Sequence, residues 1–133
     1  YARHESGSQR HPPGVPIPVP PVGNFLGIIG DEISRPLVAA IEKSARHSAP
    51  ALQTLTLVVP GRGEKLPDVR RSDHAAFWDE GFPAVMLTDT ANFRNPHYHQ
   101  PTDRIETLNL DFLDAVIEAV IASIQTLAGR PHP

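Results

Sequence analysis

From Leu108 to Leu127 the chain carries its strongest constraint. Leu110, Leu113, Val116, Ile117, Val120, Ile121, Ile124 and Leu127 recur at the three- and four-residue spacing of one helix face. So long an apolar stripe needs a partner, and the pattern predicts a helix packed on a sheet. Gly129 and Pro131 end it. Three short apolar runs supply strands. Asn24–Gly30 is bounded by turn residues and reads as the first. Leu52–Val59 alternates Leu with Thr before turning fully apolar, and Pro60-Gly-Arg-Gly63 closes it. Pro83–Thr88 reads as the third. Between them, Ser34 is placed to cap a helix through about Arg46, with Leu37, Val38, Ile41 and Ala45 at helical spacing. Ser72 is placed to cap a short helix from Asp73 to about Glu80, with Gly81 at its end. Strand and helix alternate three times. That order implies an α/β fold with a mainly parallel sheet flanked by helices.

Tyr1–Gly23 is polar and then proline-rich, as in His11-Pro-Pro-Gly-Val-Pro-Ile-Pro-Val-Pro-Pro21. Such a run forms neither a helix nor a central strand. It reads either as a polyproline linker or as an ordered loop over the domain surface. The expected division is an arm over residues 1–23, an α/β domain over 24–129 and a tail over 130–133. A chain of 133 residues is enough for one domain. A net charge of -3 gives no electrostatic reason to expect nucleic acid. No apolar run approaches the roughly 20 residues of a membrane span, so no membrane partner is expected. Without cysteine there is neither a disulfide framework nor a thiolate metal site. Tyr1 is not a native start, so any targeting segment would lie outside these residues.

The stretch richest in chemistry is Asn95-Pro-His-Tyr-His-Gln-Pro-Thr-Asp103. An imidazole binds a divalent metal through one nitrogen while a neighbour fixes the other. A proline on each side restricts the backbone. In a parallel sheet the loop from Asp89 to Asp103 would sit at the carboxyl ends of the strands, where ligands bind. Asp73 and His74 open the short helix nearby, and Arg94 lies in the loop. Each has a plain explanation alone. Asp73 can complement a helix dipole, Asp103 can cap a turn, Arg94 can be a surface charge and a lone His is more often structural. Together they point to a site. It is incomplete, because a zinc needs about three protein ligands and a zinc pair about five. The chain has no His-Glu-x-x-His, no Glu-Glu pair and no Gly-x-Ser-x-Gly elbow.

Arg71-Ser-Asp-His-Ala-Ala-Phe-Trp-Asp-Glu-Gly-Phe-Pro-Ala-Val-Met-Leu-Thr-Asp-Thr90 and Phe93-Arg-Asn-Pro-His-Tyr-His-Gln-Pro-Thr-Asp103 resemble the C-terminal half of the co-catalytic zinc aminopeptidases. That family includes glutamate carboxypeptidase and the glutaminyl cyclases. Gly7-Ser-Gln-Arg-His-Pro12 and Gly23-Asn-Phe-Leu-Gly-Ile-Ile-Gly30 are similar to the segment that follows a metal-binding acidic residue there. The likeness runs from about Tyr1 to Leu127. It implies a truncated version of the family's three-layer fold, zinc as cofactor, and a peptide or small ester-like substrate. By the resemblance, His99 matches a zinc ligand. Tyr98 would wall the site and steady an oxyanion, and Asp73 matches an Asp near the active site, so both take catalytic roles. Arg94 and His74 would contact substrate, and Asp103 would hold the loop. His97 matches no ligand and reads as support.

The family's first half would supply a His, a bridging Asp, a Glu acting as general base and a further acidic ligand. These are missing here. The resemblance therefore implies a fragment that is not an efficient aminopeptidase alone. Missing strands would leave a sheet edge open, so a homo-oligomer or a missing N-terminal half is the expected partner. Two other readings stand beside it. One is a small stand-alone oligomeric hydrolase, esterase- or phosphoesterase-like, with a site built from His74, His97, His99 and Asp73. The other is a non-catalytic interaction domain that offers Pro12–Pro21 to an aromatic groove.

Overall fold

The computed structural model describes residues 1–129; the expected tail, residues 130–133, lies outside the described residues, and Pro131 with it. Three strands form, β1 (Phe25–Gly30), β2 (Gln53–Val58) and β3 (Val85–Thr88), with helices α1 (Arg35–Ser48), α2 (His74–Asp79) and α3 (Leu110–Leu127). The sheet order is β2-β1-β3. β1 and β2 run parallel, Phe25 opposite Gln53 and Gly30 opposite Val58. β3 runs antiparallel to β1, Gly27 opposite Thr88 and Gly30 opposite Val85. The sheet is therefore mixed, and the third strand departs from the parallel expectation. The chain leaves β2 at Val58 and re-enters the sheet at Val85, and both lie opposite Gly30, so the two junctions sit at the same end of the sheet.

Each face of the sheet has its own core. On one side Leu26 packs with Ala45, Ala49, Leu52 and Ala119, and Ile28 packs with Val38 and Ile41. α1 lies close there. A Cβ on Gly30 would come within 2.6 Å of Val38 Cγ2. On the other side Leu57, Val59, Leu66, Val69 and Trp78 form a cluster joined by Val15, Ile17, Ile29 and Ala84. The proline-rich stretch thus covers the second face of the sheet. Its own hydrogen bonds hold it folded back on itself. Arg3 N donates to Gly23 O at 2.7 Å, Gln9 N to Pro21 O at 3.1 Å, and Gly23 N to Ser8 Oγ at 2.9 Å.

α3 meets the expected sheet only in part. It packs chiefly against α1, through small residues, and reaches the sheet where Ala119 joins the cluster of Leu26. Ala119, Ala122 and Ser123 are buried, with Phe112, Ala115 and Val116 half-buried beside them. Alanines on both helices permit close approach. Most of the large stripe read from the sequence faces out. Among the described residues no helix is long and apolar enough to cross a membrane.

Ser34 is buried ahead of α1, but its hydroxyl does not cap that helix. It donates to Asp31 Oδ1 and accepts from Ala84 N at 2.9 Å, tying the start of α1 to the start of β3. Ser34→Ala would leave a half-buried N–H without its acceptor and a buried carboxylate with one donor fewer. The expected cost is about 1–3 kcal/mol. It should appear as a lower urea midpoint at unchanged slope.

Candidate functional site

Because β3 is reversed, the loop from Asp89 to Asp103 emerges beside Gly27, at the amino end of β1. It does not lie at the carboxyl ends of all three strands, as a parallel sheet would require. Side-chain bonds to backbone shape it. Asp89 Oδ1 accepts from Ala91 N at 2.9 Å and Asn95 Oδ1 from His97 N at 2.8 Å. Thr90, Ala91 and His99 take left-handed backbone conformations, with φ of 70°, 46° and 57°. Each costs energy for a non-glycine residue, and such residues cluster where a loop is held for a purpose.

His99 is exposed at the loop's outer turn. Its ring stacks on Tyr98, centroids 4.0 Å apart and planes 14° from parallel. The stack restricts the imidazole to few orientations. His97 does different work: its Nδ1 shares a hydrogen with Thr102 Oγ1 at 3.0 Å, and its ring meets Tyr1 edge-on. Asp73 is exposed just before α2 and makes no capping bond. Asp103 is also exposed, and its backbone N–H donates to Gln100 O at 3.0 Å.

Two residues expected to contact substrate are buried instead. Arg94 is 2% exposed. Its Nε donates to Gln9 Oε1 at 3.0 Å, Nη1 to Tyr1 O at 3.1 Å and Nη2 to Phe25 O at 2.8 Å. Its guanidinium also lies over the Phe25 ring at 4.5 Å. Burial pushes its pKa down to about 10, against the opposing pull of Asp89, so the cation stays charged at neutral pH. The side chain is a clamp joining arm, loop and β1. Gly23 makes room for it, since a Cβ there would meet Arg94 Cγ at 2.7 Å. His74, the first residue of α2, is buried, with its ring edge-on to Trp78 at 4.5 Å. Its Nε2 donates to Val69 O at 2.7 Å, and its Nδ1 is buried without a partner. Both side chains point to stability of the scaffold rather than to a binding surface.

Tyr98 has company the sequence reading missed. A cavity of about 220 Å³ lies against it, lined by Ile29, Met86 and Phe93 and by Arg71, Ser72 and Thr90 among others. Arg71 sits over the Tyr98 ring at 5.9 Å and is held by Asn92 Oδ1 at 2.7 Å and Asp68 at 3.2 Å. Gln9 is the other omission. It is buried, and its Oε1 accepts from both Arg94 and Thr90 Oγ1. Both adjoin blocks that had been singled out, Arg71 before Ser72-Asp73-His74 and Gln9 within Gly7-Ser-Gln-Arg. Position in those blocks was the available signal.

The donor set does not make a zinc centre. Among the described residues no three His, Asp or Glu side chains gather as metal ligands would. His99 is one candidate ligand, against the three or four that zinc requires.

Comparison with known proteins places these features. The sequence profile of peptidase family M28 matches residues 28–124. An uncharacterised Escherichia coli K12 protein, YfbL, is 34% identical over 122 residues, which make up 91% of this chain and 36% of that protein. The crystal structure of the Legionella pneumophila LapA aminopeptidase is similar at a TM-score of 0.56 and 20% identity, over 83% of this chain and 28% of that one. At that identity the likeness is one of fold. The chain thus spans about a third of the length of the curated relative it matches. With most of its length covered by the family profile, and its layered α/β core shared with an aminopeptidase, the chain belongs to peptidase family M28.

Proposed function

We propose that these residues form the C-terminal part of a zinc-dependent peptidase-like hydrolase, and that the remaining zinc ligands and the general base come from polypeptide outside them. The observation that carries this reading is the lone His99. It is exposed, oriented by its stack on Tyr98 and placed on a strained loop, yet among the described residues no group of three His, Asp or Glu gathers that could hold a metal ion. When bound, zinc would polarise a peptide carbonyl. In this reading the chain's own residues hold and shape. His99 contributes one ligand. The Tyr98 hydroxyl donates a hydrogen bond to the oxygen that gains charge. The apolar floor of the adjoining cavity receives a substrate side chain, with Arg71 at its rim.

Metal content and solution mass, measured on one sample, test this first. The chain alone should hold well under one zinc. Supplied with the rest of a family fold, it should bind zinc and hydrolyse aminoacyl arylamides. His99→Ala should then weaken zinc retention by at least about 10-fold, judged against the effect of losing even a supporting residue. Full hydrolysis by a metal-free monomer would refute the reading.

A further inference from the structure

The outer face of α3 is an apolar surface with no partner assigned to it. Leu110, Leu113, Ile117, Ile121, Ile124 and Leu127 are each between 40% and 61% exposed. Their spacing follows a single seam over the 18 residues of the helix, a length of about 27 Å. Proteins that stand alone rarely expose a contiguous apolar patch beyond a few hundred Å². The acids Asp111, Asp114 and Glu118 all lie in the first half of α3, and the second half carries no charge through Gly129.

Two further observations indicate what covers the seam. The outer edges of β2 and β3 pair with no other strand among the described residues. The matched segment also accounts for only 36% of the Escherichia coli relative and 28% of the Legionella chain. The sheet layer and the helix layer are therefore both left open, as they would be if a larger α/β fold continued them. A second copy answers less well. Two seams paired in parallel would set the acidic halves of α3 side by side. An antiparallel pair would cover the seams but leave the sheet edges unpaired.

We propose that the α3 seam is the docking face for the remainder of the peptidase fold, which meets it with an apolar helix face of its own. The proposal rests on the reading that further polypeptide completes the site, and it names where that polypeptide attaches.

The probe is the part of YfbL outside its matched residues, co-expressed as a separate chain. The expected result is a one-to-one complex by light scattering. The double substitution Ile117→Asp with Ile121→Asp should weaken it by roughly 100-fold. The same pair should leave the melting temperature of the isolated chain nearly unchanged, because both side chains are half exposed there. Lys43→Asp, on the exposed side of α1, should leave the complex intact. Three results would overturn the proposal: no complex on co-expression, a complex indifferent to the double substitution, or an isolated chain that is a dimer and becomes a monomer on substitution. The last would assign the seam to a second copy. Association is read by mass, without zinc or substrate. A seam-dependent complex that stays metal-free and inactive would sink the functional reading alone. An active complex indifferent to the seam would sink only the docking face.

Discussion

Arg94→Ala should lower folding stability by about 3–5 kcal/mol, because it breaks a buried hydrogen-bond network. That is a large part of the 5–15 kcal/mol typical of a domain. The guanidinium serves three acceptors on two segments: Gln9 and Tyr1 in the arm and Phe25 O on β1. Alanine leaves those groups short of a donor and opens a gap over Phe25 and beside Gly23. Each lost bond from a charged donor is worth about 1.5–3 kcal/mol, and the three will not add in full. Arg94→Lys should recover only part of the loss, since an ammonium keeps the charge but not the fork. Chemical denaturation measures the loss, and limited proteolysis should show the arm cut sooner. A native midpoint in Arg94→Ala would refute the clamp.

Trp78→Ala should cost a similar amount, about 3–5 kcal/mol, from loss of a large buried ring. Trp78 is fully buried in the cluster that joins the sheet to α2 and the arm, and its Nε1 donates to Ala84 O at 2.9 Å. It also forms one wall around His74. Trp78→Phe keeps an aromatic ring and loses the hydrogen bond, so about half the damage or less is expected. The chain has a single Trp, so circular dichroism rather than fluorescence must follow both variants. Equal losses in the two variants would show that the hydrogen bond, not the packing, dominates.

Periodicity served well wherever one face of an element decides its fate. All three strands and all three helices lie within a few residues of their expected places. Direction and facing were harder to read. The reversal of β3 is silent in its own apolar run, because a short apolar strand reads the same in either direction. The facing of α3 misled for a different reason. Large side chains mark the seam, while the buried contact belongs to Ala119 and Ala122, which leave almost no hydrophobic signal. At the candidate site, His99 and Tyr98 could be picked out because an unusual run of residue types marks them. Arg94 and His74 could not be separated from them, since a buried cation clamp and a ligand-facing cation are written with the same letter. Their partners, Gln9, Tyr1 and Val69, are distant in sequence or silent in it.

The same clamp bears on how the molecule reaches its native state. Gln9 and Tyr1 meet Arg94 across separations of 85 and 93 residues, so these contacts close long loops. Loop-closure entropy places such contacts late, after local helices and the β1–β2 pairing have formed. The segment that carries Tyr98 and His99 would then acquire its shape only once the arm has settled over the sheet. In a partly folded chain it would be the first element to lose that shape.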